Sequence, residues 1–259
     1  MLTITNLHKT FNPGTINEKH ALNGVDLTLE EGDFVTIIGG NGAGKSTTLN
    51  AVAGVFPIDR GTIEIDGADV TRLPEYRRAA FLGRVFQDPM MGTAANMGIE
   101  ENLALALRRG EKRTLRWGIT SPERDHYRTL LEQLGLGLED RLTSKVGLLS
   151  GGQRQALTLL MATVKKPKLL LLDEHTAALD PKTAAKVLEL TDQIIKRDNL
   201  TAMMVTHNMR HAIEYGNRLI MMHDGKVVVD IRGEEKKHLE VRDLLEKFNI
   251  DNDRMLLSE

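Results

Sequence analysis

The eight residues Gly39-Gly40-Asn41-Gly42-Ala43-Gly44-Lys45-Ser46, followed by Thr47, match the pattern of a phosphate-binding loop. Glycines allow backbone N–H groups to turn inward around phosphates, the lysine supplies a cation to the terminal phosphates, and the serine hydroxyl can hold Mg²⁺. The apolar residues 34–38 predict a strand before the loop, and a helix is predicted after it. A glycine-rich turn without a ligand is the alternative, and this strand–loop–helix setting argues against it. The stretch therefore predicts an α/β fold that binds the phosphates of a nucleotide.

Short strands and helices are predicted on both sides of this loop. Period-two alternation or compact apolar runs predict further strands at 2–7, 25–30, 62–66, 82–86, 168–172, 201–205, 218–222 and 227–231. Helical spacing of apolar residues predominates at 99–135, 181–196 and 209–215. Strands that alternate with helices predict a mainly parallel sheet covered on both faces, which a helical segment interrupts.

The composition excludes several other classes of protein. The chain has 259 residues, of which 41% are hydrophobic, so it can bury a substantial core. With 34 basic and 36 acidic residues, no charge excess indicates a nucleic-acid partner, and we expect none. The absence of cysteine excludes disulfides and cysteine metal sites. Apolar runs such as 169–172 are far shorter than the ~20 residues that cross a bilayer, and residues 1–10 do not resemble a signal peptide. We therefore expect a cytoplasmic protein.

Two adjacent carboxylates, Asp173 and Glu174, follow the apolar run at 169–172. Ligands of open α/β sheets bind at the carboxyl ends of the strands, which is where this pair is predicted to lie. Asp173 is expected to hold Mg²⁺ directly or through water, and Glu174 to orient or deprotonate an attacking water. An acidic pair after a strand also starts helices, but the phosphate loop upstream favours the catalytic interpretation.

A second predicted anion site is formed by Ser150, Gly151, Gly152 and Gln153, which stand where a helix is predicted to begin. One nucleotide does not need two separate phosphate cradles from one chain. The arrangement therefore indicates that this second cradle serves a nucleotide held by another copy.

Residues 149–153, Leu-Ser-Gly-Gly-Gln, resemble the signature sequence of ATP-binding cassette (ABC) ATPases, and further elements occur in family order over nearly the whole chain. By this resemblance, Phe11 stacks on adenine and His207 contacts the γ-phosphate. Gln87 joins the core to the helical segment and belongs to the catalytic and magnesium-binding residues. Residues 178–180, which end in Asp180, contact the partner subunit.

The resemblance implies a P-loop NTPase (RecA-like) core with a mainly parallel sheet, an antiparallel β subdomain and an inserted helical subdomain that carries the signature. The expected division is 1–86 with 158–232 for the core, 87–157 for the helical subdomain and 233–259 for a helical tail. It also implies an ATPase that works as a head-to-tail homodimer with two ATP·Mg²⁺ between the subunits.

The family also implies partners outside this chain. A separate membrane permease is expected to dock at residues 87–93, with this subunit peripheral on the inner face of the membrane. An extracellular substrate-binding protein is expected only for an importer. Residues 87–94 and 173–180 resemble a bacterial subfamily assigned to uptake of aromatic amino acids such as tryptophan and tyrosine. Export, lipoprotein release and a soluble assembly-scaffold ATPase are the alternatives.

Some residues depart from the family pattern or fit no site. His175 stands where most ABC ATPases have proline, and Gly40 where proline or serine is common; His175 either alters the pKa of Glu174 or simply packs. His207 and His211 have a metal-like spacing, but no carboxylate lies between them. Met90 and Met91 suit either an adaptable binding surface or the core. The expected tail helix uses Leu239, Val241, Leu244, Leu245 and Phe248 as its apolar face.

Overall fold

The strand before the phosphate loop lies inside a six-stranded sheet in the computed structural model, which describes residues 1–111 and 118–247. In these residues the strands are β1 (Leu2–Phe11), β2 (Lys19–Leu29), β3 (Phe34–Gly39), β4 (Arg60–Ile65), β5 (Ala68–Asp69), β6 (Leu82–Val85), β7 (Leu169–Asp173), β8 (Ala202–Val205), β9 (Arg218–His223) and β10 (Lys226–Arg232). The helices include α1 (Lys45–Ala53), α2 (Glu75–Arg78), α3 (Ile99–Leu107), α4 (Ser121–Glu132), α5 (Gly151–Thr163), α6 (Pro181–Asp198), α7 (Met209–Glu214) and α8 (Gly233–Lys237).

The larger sheet has the strand order β10-β9-β3-β8-β7-β6, and every pair in it is parallel except the edge pair of β10 with β9. Its β7 strand is a run of buried leucines. Leu169 and Leu171 pack in one apolar cluster, whereas Leu170 and Leu172 pack in another on the opposite face. Both faces of the sheet are therefore covered, which confirms the predicted α/β fold.

The smaller sheet is antiparallel, with the order β2-β1-β4-β5. Its first two strands are longer than predicted, because β1 runs on to Phe11 and β2 begins already at Lys19. Register shifts interrupt their pairing, and Asn6 has a φ of 48° at one of them. These bulges break the period-two alternation, so the pattern of apolar residues does not reveal the full strands.

The predicted helical segment has a core of its own, which includes Leu103, Tyr127 and Leu131 from α3 and α4. Helix α5 joins this segment to the sheet, because its Leu157 packs in the helical cluster and its Leu159 packs under the sheet. The proposed subdomain boundary at 157/158 thus falls inside one continuous helix, and the division into subdomains stays a prediction.

The tail differs from the single helix that was predicted. Helix α8 ends at Lys237, and a second helix occupies 241–247. The buried Lys236 ammonium donates to the carbonyls of Tyr215 and Gly216, which ties α8 to the end of α7. Leu244 is buried as predicted and Leu245 is exposed, while Phe248 lies outside the described residues. Among the described helices, none combines the length and apolar character that a membrane span requires.

Candidate nucleotide site

The phosphate loop connects β3 to α1, and three of its four glycines have backbone conformations that residues with a side chain rarely adopt. Gly39, Gly42 and Gly44 have positive φ values of 155°, 85° and 96°. A Cβ on Gly44 would lie 2.7 Å from the carbonyl oxygen of Ala21, so side chains are excluded there on two grounds. By contrast, a Cβ on Gly40 would meet nothing within 4 Å. A proline or serine side chain, which is common at this position in the family, would therefore make no contact here, and the loop loses none by having Gly40.

Lys45 begins α1 and turns its ammonium back into the loop. Its Nζ donates to the carbonyl oxygens of Gly39 at 2.9 Å and of Gly40 at 3.0 Å. Burial lowers the pKa of Lys45, and the nearby carboxylates of Glu174 and Asp173 act in the opposite direction. The loop thus holds a cation at its centre, where an incoming phosphate can take over the hydrogen bonds of the two carbonyls.

Ser46 and Asp173 come together as the sequence predicts. The Ser46 hydroxyl donates to Asp173 Oδ1 at 3.0 Å, which joins the start of α1 to the carboxyl end of β7. Burial raises the pKa of Asp173, whereas the Ser46 hydrogen bond and the charges of Arg84 and Lys45 lower it. Two oxygen ligands next to a phosphate loop fit Mg²⁺, which takes its other ligands from phosphates and water. In the described residues no cluster of three or more His, Cys, Asp or Glu side chains could hold a metal alone.

Gln87 is exposed beyond the end of β6. Within the described residues no hydrogen bond or ion pair joins it to Ser46 or Asp173. Its magnesium-binding and catalytic roles therefore remain a prediction from the family resemblance.

Glu174 and His207 face each other at the carboxyl ends of neighbouring strands, β7 and β8. His207 Nδ1 lies 3.5 Å from Glu174 Oε2. The Glu174 backbone takes a left-handed φ of 44°, and its N–H donates to the carbonyl oxygen of Val205 at 3.1 Å. This bent backbone holds the carboxylate beside the histidine, so both side chains can contact ligand groups bound next to the phosphate loop.

His175 points away from Glu174 and packs against α6. Its ring is buried, and Nε2 lies 3.1 Å from the Thr191 hydroxyl oxygen. Since that hydroxyl donates its only hydrogen to the carbonyl oxygen of Val187 at 2.7 Å, the His175 Nε2–H must donate to Thr191. Burial lowers the pKa of His175 to about 4, and the charge of His211 acts in the same direction. Of the two interpretations left open by the sequence, this geometry supports packing by a neutral ring.

The signature residues form the N-terminus of α5. The Ser150 hydroxyl accepts from the Gln153 N–H at 3.2 Å, and the Gln153 side chain accepts from the Ser150 N–H at 3.2 Å. Gly152 lies against α6, where a Cβ would come within 2.1 Å of the Thr183 methyl carbon. No hydrogen bond or ion pair of the described residues joins this segment to the phosphate loop. The exposed Gly151 leaves the helix N-terminus open to a ligand outside the chain.

Two further predicted residues occupy the margins of the site. Asp180 caps α6 by accepting from the Thr183 N–H at 3.1 Å, and hydrogen bonds from Thr183 lower the pKa of Asp180. Phe11 ends β1 and packs edge-on against Phe56, with ring centroids 5.2 Å apart. The Lys9 ammonium lies 5.5 Å from both ring centroids.

Arg84 is a residue of this site that the sequence pattern does not single out. Its guanidinium stacks on Phe86 at 4.4 Å and hydrogen-bonds the side chain of Asn50 in α1. Burial lowers the pKa of Arg84, while the negative charge of Asp173 raises it. An arginine inside the predicted strand 82–86 was the available signal, but only the fold shows that it faces Asp173.

Comparisons with known proteins agree with this geometry. The family model described as "ABC transporter" matches residues 22–177. A "Tyrosine transport ATP-binding protein" of Clostridioides difficile is 47% identical over 249 residues, which is 96% of this chain and 98% of that protein. The "Bacitracin export ATP-binding protein BceA" of Halalkalibacterium halodurans is 30% identical over 95% of this chain and 94% of its own length.

Solved structures show the same likeness. A dimeric ATP-binding cassette in a post-hydrolysis state, bound to ADP and phosphate, has a TM-score of 0.75 and 30% identity, covering 90% of this chain and 98% of that chain. A cassette of an ABC transporter in its ADP conformation has a TM-score of 0.76 and 27% identity, covering 96% of this chain and 98% of its own.

Proposed function

This chain belongs to the ABC transporter family as an ATP-binding ATPase subunit, and from that premise we propose that it drives a separate membrane permease as a head-to-tail homodimer. Each of two ATP·Mg²⁺ would lie between the phosphate loop of one copy, residues 39–47, and the signature of the other, residues 150–153. The dimeric cassette bound to ADP and phosphate, 30% identical to this chain, supports such an assembly.

One observation carries the proposal, namely that two anion-binding segments stand apart in the chain. Lys45 and the glycines of the loop form one cradle, and the exposed N-terminus of α5 at Ser150 and Gly151 forms the other. A single copy leaves the second cradle without a phosphate, whereas a second copy placed head to tail would supply one.

The residues of the site divide the work of hydrolysis. Lys45 and the loop N–H groups bind the phosphates, and Ser46 with Asp173 would hold Mg²⁺. When bound, that ion neutralises phosphate charge. Glu174 orients the attacking water and takes its proton, while His207, 3.5 Å away, would hold the γ-phosphate in line. Catalysis then comes from positioning and charge stabilisation rather than from a covalent intermediate.

The permease would dock on the surface around Met90 and Met91. These side chains are 44% and 69% exposed, and Met91 lines a groove between the sheet and the helical segment. Tyr76 and Leu105, both exposed, also line this groove. Flexible methionines and exposed apolar side chains suit an adaptable protein contact. Docking there would place the subunit on the inner face of the membrane.

The transported molecule is proposed by analogy. The 47% identity to a protein named for tyrosine transport favours uptake of an aromatic amino acid, with an extracellular substrate-binding protein as a further partner. The 30% identity to a protein named for bacitracin export makes export the second candidate. The contacts that select a substrate would lie in the permease, outside this chain.

A pull-down from native membranes tests the transport role. The Glu174→Gln variant would be isolated with ATP and Mg²⁺, and its partners identified by mass spectrometry. The control is the same variant with Lys45→Ala in addition. Without the Lys45 ammonium it should not form the ATP-bound dimer. We expect a multi-span permease to be enriched with Glu174→Gln over the control. Recovery of soluble partners alone, with the wild-type ATPase intact, would contradict transport and favour a scaffold ATPase.

A further inference from the structure

Lys19, at the start of β2, lies beside the phosphate loop and has no role in the site described so far. We propose that Lys19 is a nucleotide-binding residue, which adds a second cation to the cradle on the side of the α-phosphate. The inference rests on the nucleotide site of the proposed function and does not depend on a permease.

The strand register determines which way Lys19 points. In the antiparallel pair of β1 and β2, Phe11 is opposite Lys19 and Thr10 is opposite His20. Opposite residues of such a pair project from the same face of the sheet. His20 hydrogen-bonds the Thr10 hydroxyl at 3.0 Å and lies 3.2 Å from Glu18, so these three share one face. Lys19 therefore projects from the other face, together with Phe11.

That face looks onto the phosphate loop. The Lys19 Nζ lies 3.4 Å from the position that a Cβ on Gly42 would take. Gly42 has a φ of 85° and lies in the phosphate loop, whose N–H groups are expected to bind phosphates. The Lys45 ammonium marks the end of the loop where the terminal phosphates are expected, and Phe11 marks the expected place of adenine. Because Lys19 is opposite Phe11 in the strand pair and its ammonium reaches Gly42 of the loop, it would meet a bound nucleotide at the α-phosphate.

No carboxylate of the described residues pairs with Lys19. Within residues 1–111 and 118–247 its ammonium makes no ion pair or hydrogen bond, and the residue is exposed. Its neighbour Glu18 is engaged elsewhere, since it accepts from the Gly14 N–H at 2.6 Å and contacts His20. Lys9 offers a contrast, because it pairs with Asp59 at 3.1 Å. An unpaired ammonium beside the phosphate loop raises the local positive potential, which a phosphate would satisfy.

Nucleotide binding by variants of the full chain tests the proposal. Competition against a fluorescent ATP analogue would give affinities for ATP, ADP, AMP and adenosine. We expect Lys19→Met to weaken ATP, ADP and AMP about tenfold, which corresponds to ~1.4 kcal/mol. Adenosine should bind as before, and Lys19→Arg should restore most of the affinity. Lys45→Met should spare AMP, because it removes the cation at the terminal phosphates.

Steady-state kinetics and a matched control complete the test. Lys19→Met should raise the KM for ATP about tenfold while kcat stays within about twofold, as expected for loss of an interaction that is equally strong in the ground state and the transition state. Lys196→Met removes an exposed lysine of α6 that pairs with Asp192, and should change nothing. A thermal melt of each variant verifies folding.

Two results would overturn the inference. Unchanged affinities for all three nucleotides in Lys19→Met would mean that the lysine is only a solvated side chain of the hairpin. An equal loss for adenosine would mean that it supports the adenine platform or the fold. A wild-type chain that binds no nucleotide would instead contradict the nucleotide site itself, so the two failures can be distinguished.

Discussion

Acid should lower the free energy of unfolding of this protein through His175, the buried histidine that follows Glu174 in the chain. Its ring is 2% exposed, and its pKa is lowered from 6.5 to about 4. Because the folded-state pKa lies below the unfolded one, the unfolded chain binds more protons between these two values. The stability that His175 contributes is therefore fully present above pH 6.5, and it is lost as the pH falls towards 4. The nearby His211 adds to the penalty when it is protonated.

The size of the effect follows from the two pKa values. At 1.36 kcal/mol per pH unit, the complete loss is about 3 kcal/mol, and about 2 kcal/mol of it falls between pH 7.5 and pH 5. The His175→Gln variant keeps an N–H that can donate to the Thr191 hydroxyl but has no proton to gain.

Urea unfolding of both proteins, followed by circular dichroism from pH 5 to pH 7.5, measures the difference. The free energy of unfolding of the wild type relative to His175→Gln should rise by about 2 kcal/mol across this range. Since every other titrating group is common to both proteins, their contributions cancel apart from coupling to His211. Parallel pH curves would show that His175 is not buried in neutral form and would refute the reasoning.

Three further perturbations follow from the site. Glu174→Gln should bind ATP with unchanged affinity and lose at least about a hundredfold in turnover. It should accumulate as an ATP-bound dimer on size-exclusion chromatography, and turnover at the wild-type rate would contradict the role of Glu174. Gly44→Ala should abolish ATP binding and destabilise the fold by about 1–3 kcal/mol, because φ is 96° and the Cβ would lie 2.7 Å from the Ala21 oxygen. Gly40→Ala is the control, and it should change neither ATP binding nor the melting temperature. Asp180→Ala should lower the free energy of unfolding by about 1 kcal/mol through loss of the α6 cap, and an unchanged urea midpoint would argue against that cap.

Local sequence patterns predicted the parts of the site that depend on fixed spacing along the chain. The phosphate loop needs its glycines, Lys45 and Ser46 at set positions, and a buried strand delivers Asp173 to its carboxyl end. Both features can be recognised without a fold, and the contact between Ser46 and Asp173 then follows because β3 and β7 end at the same edge of one parallel sheet, with β8 between them.

Contacts between distant segments could not be predicted in this way. Lys19 reaches Gly42 only because β2 starts at Lys19 and pairs with β1 in the observed register, which the apolar pattern did not reveal. Arg84 faces Asp173 only because β6 and β7 are adjacent in the sheet. The direction of the His175 side chain depends on where α6 packs. The sequence alone does not tell whether this side chain points towards Glu174 or towards α6.

The central claim is that two copies enclose ATP between the phosphate loop of one and the signature of the other. Because the chain has no cysteine, two single-cysteine proteins can test it without background. One carries Gly40→Cys, where a side chain meets nothing within 4 Å, and the other carries Ser150→Cys, both with Glu174→Gln. After mixing and mild oxidation, we expect a disulfide-linked heterodimer only with ATP and Mg²⁺ present. A cross-link that forms equally without nucleotide, or none with it, would contradict the account.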